Sequence, residues 1–313
     1  MASYAAMDKM RPLYAAKEGG WMSGHKATSQ KLTGRFDPGL AIPEAEAHFF
    51  LPGEVIANLE MIAKLSERHP VNCLVAGKQG CGKSTLVRQF AARQGRPLAT
   101  FQIGILSEPG QLFGEHRLKD GKTYYQEFLF PQAIQTPGCV IHLEEINRPE
   151  HPKALNMLFS ILAEDRKVFI DELGEIKVAP GVVFFATLNE GEEFVGTEML
   201  DAALSDRFYV TALDYLPQEV EIRVLHLKGG IDEATALTIV NVANRLRGNK
   251  HEPMVISTRH ALMIAEMVHC GASVKQAFIH SLQMNKNVLE TVLLSLHVEL
   301  RLKEHGGNGY QPY

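Results

Sequence analysis

Apolar and polar positions along the chain change rhythm once. As far as about residue 213, short apolar runs alternate with stretches of helical spacing; past Pro217 only helical spacing remains. The first element is a helix over Gly53 to Glu67, with Val55, Leu59, Ile62 and Leu65 on one face. Val71-Asn-Cys-Leu-Val-Ala76 follows as a nearly continuous apolar run, which reads as a strand of a parallel sheet buried on both faces. Ser84 to Gln94 returns to helical spacing and meets Gly95. Four more strand-like runs come later, at Leu98–Gly104, Gly138–Glu145, Gly181–Asn189 and Phe208–Leu213, with a helix over Ala154 to Glu164 among them. Strands interleaved with helices predict an α/β fold on a parallel sheet.

Two segments interrupt that alternation. His116 to Glu127 is polar and turns at Asp120-Gly121, a strong hairpin signal. It adds little to a core and reads as an insertion. Lys167–Ile170 and Glu175–Val178 alternate around Leu173-Gly174 and predict a second hairpin. Beyond Pro217, helices are expected over Gln218–Lys228, Asp232–Arg247, Thr258–His269, Val274–Asn285 and Asn287–Glu304, stopped by Gly229-Gly230, Gly248-Asn249 and Gly271. The expected organisation is an extension over 1–45 with Trp21 as a docking anchor, an αβ domain over 46–215, a helical domain over 216–305 and a disordered tail over 306–313.

Composition narrows the partners. Of 313 residues, 45% are hydrophobic and 22% charged, ordinary for a globular chain. Lys+Arg at 32 against Asp+Glu at 36 leaves a formal charge of -4, which removes a bulk electrostatic case for nucleic acid but not a local basic channel. No apolar run approaches a membrane span and the start lacks a signal-peptide core, so a cytoplasmic location is expected. The four cysteines form no C-x-x-C pair and read as thiols rather than disulfides or zinc ligands.

The chemistry gathers on Gly77-Lys-Gln-Gly80-Cys81-Gly82-Lys83-Ser84-Thr85, which fits G-x-x-x-x-G-K-[ST] between a predicted strand and a predicted helix. Glycines let backbone N–H groups curl around phosphates that also sit at the positive end of the new helix. Lys83 is expected on the β/γ-phosphate oxygens and the Ser84 hydroxyl on Mg²⁺, so ATP and Mg²⁺ are the expected cofactors.

In a parallel sheet, functional residues collect at the carboxyl ends of strands. Glu144 and Glu145 close one strand. The first is a carboxylate for the Mg²⁺ shell, the second a general base for the attacking water. The magnesium position is normally Asp, so Glu144 also raises the expectation of slow hydrolysis. Asn189 closes another strand, either orienting water or making an Asx turn. Arg207 opens the fifth strand, either as a surface partner of Asp206 or facing the γ-phosphate of a neighbouring subunit. Arg259 lies in the first turn of a helix, unfavourable for the helix dipole, which points to an outside partner such as phosphate. Arg148 fits a surface position or a subunit contact equally.

Taken together, GKQGCGKST, LEEINRP, ATLNEGEEFVGTEMLDAALSDRF and the later STR resemble the AAA+ ATPases, and within them the MoxR branch with its CbbQ/NorQ and CobS-like relatives. The resemblance spans roughly residues 46–300. It implies a five-stranded sheet in the order 5-1-4-3-2 with the helical part as a lid, and a homo-oligomer built as a hexameric ring. ATP would sit between subunits, with Lys83, Ser84, Glu144, Glu145 and Asn189 acting in cis, Arg259 from the lid, and Arg207 in trans. It further implies a protein client, often a von Willebrand A-domain protein, engaged by the two hairpins for activation, metal insertion or maturation. Three other readings stand beside it: a nucleic-acid motor of the McrB-like kind, a small-molecule kinase, and a nucleotide-gated scaffold with slow turnover.

Overall fold

The computed structural model describes residues 40–149, 152–189, 200–248, 254–282 and 294. Trp21 and the extension before residue 40, the helix expected over Asn287–Glu304 apart from Leu294, and the tail over 306–313 lie outside the described residues. The chain divides between Asp214 and Tyr215 into two compact units.

The first unit runs α1 (Gly53–Ser66), β1 (Val71–Gly77), α2 (Lys83–Arg93), β2 (Leu98–Gln102), β3 (Gly114–Lys119), β4 (Lys122–Glu127), α3 (Leu129–Ile134), β5 (Val140–Glu144), α4 (Asn156–Leu162), β6 (Lys167–Ile170), β7 (Gly174–Lys177), β8 (Val183–Asn189), α5 (Ala202–Ser205) and β9 (Tyr209–Leu213). Five strands form the central sheet in the order β2-β5-β8-β1-β9, all parallel. Counted as the first to fifth core strands and read from the other edge, this is 5-1-4-3-2.

β1 sits inside this sheet and is buried along its whole length. Its residues alternate between two cores. Val71, Cys73 and Val75 pack with α1 and α2 through Leu59, Leu86 and Phe90. Leu74 points to the opposite face, into the cluster that holds Phe130, Ile134, Leu158 and Ile161 from α3 and α4. A strand apolar on both faces is what two covering helix layers require, and the unit is an αβα sandwich.

The two hairpins form separate small sheets, β3 with β4 and β6 with β7, both antiparallel. Asp120 and Gly121 both take positive φ at the first turn, as a two-residue primed turn demands. His116 of β3 hydrogen-bonds Glu172 in the turn after β6 at 2.7 Å, so the hairpins touch each other.

Among the described residues the second unit is helical only: α6 (Gln218–Gly229), α7 (Glu233–Arg247), α8 (Thr258–His269) and α9 (Val274–Ser281). Its core is formed by residues such as Leu225, Ile239, Leu246, Ile264 and Phe278. One ionic knot lies within it. Glu221 is fully buried and takes Arg247 on both oxygens at 2.8 and 2.9 Å, while Thr258 Oγ1 donates to the same carboxylate at 3.0 Å. Arg247 Nε donates to Ile256 O at 2.6 Å. Ser257 caps α8 through the His260 N–H. The knot and the cap together fix the first turn of α8, where Arg259 stands exposed.

Candidate active site

Strand register brings the polar strand ends together. Gly77 pairs with Asn189 of β8 and Leu213 of β9, and Gln102 of β2 is level with Glu144 of β5. The carboxyl ends of the core strands therefore share one edge of the sheet, with the P-loop rising from its interior strand.

The loop geometry depends on glycine at two positions. Gly77 passes so close to β9 that a Cβ there would stand well inside contact distance of the Leu213 carbonyl. Gly82, at φ 103°, is the left-handed cap from which α2 starts, a conformation that L side chains rarely adopt. Lys83 follows as the first residue of α2. Its ammonium is buried under the loop and donates to Gly77 O and Lys78 O, each at 2.8 Å. The loop's outer side is tied by Lys78 to Asp214 at 2.8 Å.

Ser84 and Glu144, separated by sixty residues, meet directly: Ser84 Oγ donates to Glu144 Oε1 at 2.6 Å. Gln102 Nε2 donates to the other oxygen. Hydroxyl and carboxylate so placed are hard oxygen ligands of the kind Mg²⁺ takes, and Ser84 and Glu144 are the pair that would hold it.

Behind them lies His142, buried on β5, with Nδ1 3.9 Å from Glu144 and Nε2 3.4 Å from Thr187 Oγ1. Burial pushes its pKa down to about 4, with Arg88 in the same direction and Glu144 opposing. It is a neutral imidazole at pH 7.

Glu145 leaves the strand with φ 54°, a conformation uncommon outside glycine, asparagine and aspartate. Its backbone N–H donates to Thr187 Oγ1 at 3.4 Å. Asn189 Nδ2 donates to Oε1 at 3.2 Å and Arg148 pairs with Oε2 at 2.7 Å. Gly104 leaves room for this pair, since a Cβ there would crowd Arg148. Asn147 in turn donates to Asn189 O at 3.3 Å. The candidate base and the candidate water-orienting amide are thus one hydrogen-bonded group beside the P-loop. Cys81 is half-buried in the loop and Thr85 follows Ser84 on α2.

Two of the expected residues are elsewhere. Arg207 lies at the opposite end of the sheet, where its carbonyl accepts from Asn72 of β1 at 2.9 Å. Five residue steps of β1 separate Asn72 from Gly77, roughly 16 Å at the rise of a strand, which sets the Arg207 backbone far from its own P-loop. Arg259 belongs to the second unit. Gln102, His142, Thr187 and the contact of Arg148 were not anticipated. The strand-end rule that finds Glu144 would also find Gln102, whereas His142 is visible only as a polar break in an apolar run.

A parallel sheet of this order with a P-loop at its carboxyl edge defines an AAA+ P-loop ATPase. Residues 72–208 match the family model of the AAA domain, dynein-related subfamily, and residues 221–286 match that of the CbbQ/NirQ/NorQ C-terminal region. BssE of Thauera aromatica, named as a candidate chaperone, is 62% identical over 269 residues, covering 86% of this chain and 94% of that protein. NorQ of Paracoccus denitrificans is 29% identical over 237 residues, covering 74% of this chain and 85% of its own. A variant of RuvB from Thermotoga maritima has the same fold, with a TM-score of 0.51 at 19% identity over 83% of this chain and 75% of that one. The chain belongs to the MoxR-type AAA+ ATPases and is an ATP hydrolase.

Proposed function

We propose that this chain hydrolyses ATP at the interfaces of a homo-oligomeric ring, expected to be hexameric, to remodel or activate a protein client in the cytoplasm. The observation that carries the reading is the paired geometry at the sheet edge. Ser84 meets Glu144 at 2.6 Å and Asn189 meets Glu145 at 3.2 Å, both beside Lys83. That arrangement supports ATP held by Gly77, Gly80, Cys81, Gly82, Lys83, Ser84 and Thr85. Ser84 and Glu144 would hold Mg²⁺, which supplies charge neutralisation to the phosphates when bound. Glu145 then takes the proton of a water that Asn189 orients.

The Arg207 backbone lies far from its own loop, which supports a role in the neighbour's site. Such a finger contributes roughly 10³- to 10⁵-fold in rate. Arg259 of the helical unit is the further phosphate contact to test, through the ATP affinity of Arg259→Ala. The chaperone name carried by BssE supports a protein client. A von Willebrand A-domain protein is the class to try first.

The test uses Glu145→Gln, which should bind ATP without turning it over. With ATP it should sediment as a ring and retain one client from extracts of the source cells, which Lys83→Ala protein does not. A ring-free particle, or turnover that rises with polynucleotide and not with any protein fraction, would overturn the reading in favour of a nucleic-acid motor.

A further inference from the structure

Asn72 is out of place by composition. It is the second residue of a strand buried throughout, where amides are depleted and cost several kcal/mol unless bonded. Its side chain is fully used. Nδ2 donates to Leu162 O at the end of α4 and to Arg207 O, both at 2.9 Å, and Oδ1 accepts from Arg166 Nη1 at 2.5 Å. Arg166 is itself held, donating to Pro70 O at 2.9 Å and Ile161 O at 3.4 Å. One amide therefore ties the strand that carries the P-loop to the backbone of Arg207.

The Arg207 side chain runs over the Phe159 ring at 5.3 Å and donates to Ala203 O, while its buried Nε has no partner among the described residues. It lines an open cleft of about 1030 Å³ shared with His69, Asn72, Asp165, Arg166 and Asp206. The half-buried Arg207 side chain at such a cleft offers its terminal N–H groups, not the buried Nε, to an anion brought from outside the chain.

We infer that Asn72 is a positioning residue for Arg207. It sets the angle at which each subunit presents its arginine to the triphosphate of the next copy, and couples that angle to the subunit's own nucleotide strand. The inference rests on the shared-site reading of the ring. The competing role for Asn72 is support of its own P-loop through β1, and the two predict opposite complementation.

Full-length Asn72→Ala protein should bind ATP with KM within about threefold of the parent and lose about 10- to 100-fold in kcat, the size expected when a reacting group is displaced by about 1 Å. Mixed with Lys83→Ala, it should recover turnover, because it supplies intact loops to intact fingers. Mixed with Arg207→Ala, it should recover none. Asn72→Asp, which keeps the volume and the Arg166 bond but removes both donors, should repeat the pattern if Asn72→Ala folds poorly. Unchanged kcat, or recovery with Arg207→Ala instead of Lys83→Ala, overturns the proposal. A control mixture of Arg207→Ala with Lys83→Ala checks the shared site itself. No recovery there removes the ring reading, whereas recovery there without recovery for Asn72→Ala removes only the role of Asn72.

Discussion

Ser84 Oγ donates to Glu144 Oε1 at 2.6 Å, while Gln102 holds the other oxygen of the same carboxylate. The longer side chain at a position normally held by Asp thus reaches the P-loop hydroxyl and is anchored on its far side. Glu144→Ala should lower the apparent Mg²⁺ affinity in ATP turnover by about 10- to 100-fold, the range for removing a group that orients metal ligands. Nucleotide binding measured in chelator should change little. Glu144→Asp should fall between the two proteins, because one methylene less withdraws the carboxylate from Ser84 or from Gln102. Magnesium titrations of steady-state hydrolysis check this; an aspartate variant faster than the parent would make Glu144 a brake.

Asn189 and Arg148 occupy the two oxygens of Glu145, so their removal separates orientation from charge. Asn189→Ala should reduce kcat by about 10²-fold or more with ATP affinity nearly unchanged, as expected where a group acts only on the attacking water. Equal losses in affinity and turnover would make Asn189 a strand-end turn residue instead. The Arg148 pair is about half exposed on the arginine side, so it should contribute under about 1 kcal/mol to stability.

Much of this site is legible in the sequence because parallel sheets put chemistry where strands end. Gly77 to Thr85, Glu144, Glu145 and Asn189 all follow from that rule and a single motif. Gln102 follows from the same rule only once the strand end is known, because the apolar run suggests a strand to Gly104, whereas β2 stops at Gln102 and Ile103–Ile105 turns as a short 3-10 helix. The contact of Arg148 with Glu145 depends on a backbone φ of 54°, which no residue type there encodes. α3 is also hidden: Leu129–Ile134 contains Pro131 and spans six residues, yet folds because Phe130, Ala133 and Ile134 bury completely. Short helices of this kind exist through tertiary burial rather than propensity.

The close approach at Gly77 gives a stringent check on the loop. Leu213 and Gly77 pair across β9 and β1, and any side chain at Gly77 would drive the carbonyl of Leu213 away. Gly77→Ala should therefore abolish ATP binding or the fold of the first unit, by either route costing more than the about 1 kcal/mol of an ordinary strand glycine. Equilibrium nucleotide binding and denaturation of the same protein decide it. Normal affinity would mean that β9 is free to shift.

The cysteines should report on the same loop. Burial raises the thiols of Cys73 and Cys139 to about 12, and Cys81 is also raised, chiefly by burial and against the pull of Lys83. Cys270 is exposed. Since the thiolate is the reactive form, alkylation at pH 8 should modify Cys270 first and Cys81 slowly, leaving Cys73 and Cys139 untouched until the protein unfolds. ATP should slow Cys81 further and leave Cys270 unaffected. Peptide mass analysis after timed quenching reads all four sites, and early modification of Cys73 would contradict the buried strand.

Glu221 offers the corresponding test in the second unit. It is fully buried, and Arg247, at 15% side-chain exposure, is its ionic partner. Arg247 also lies over the Tyr215 ring at 5.0 Å and anchors Ile256. Removing one member of a buried pair leaves the other charge uncompensated and costs about 3 to 5 kcal/mol. Glu221→Ala should lose that much in urea denaturation followed by far-ultraviolet circular dichroism. Glu221→Gln keeps the shape and an acceptor but not the charge, and should lose less. Because Thr258 shares the carboxylate, the first turn of α8 should loosen as well, which hydrogen exchange at Arg259 and His260 would register. A loss under about 1 kcal/mol, with exchange unchanged, would mean that the apolar packing of α6, α7 and α8 holds the turn without the knot.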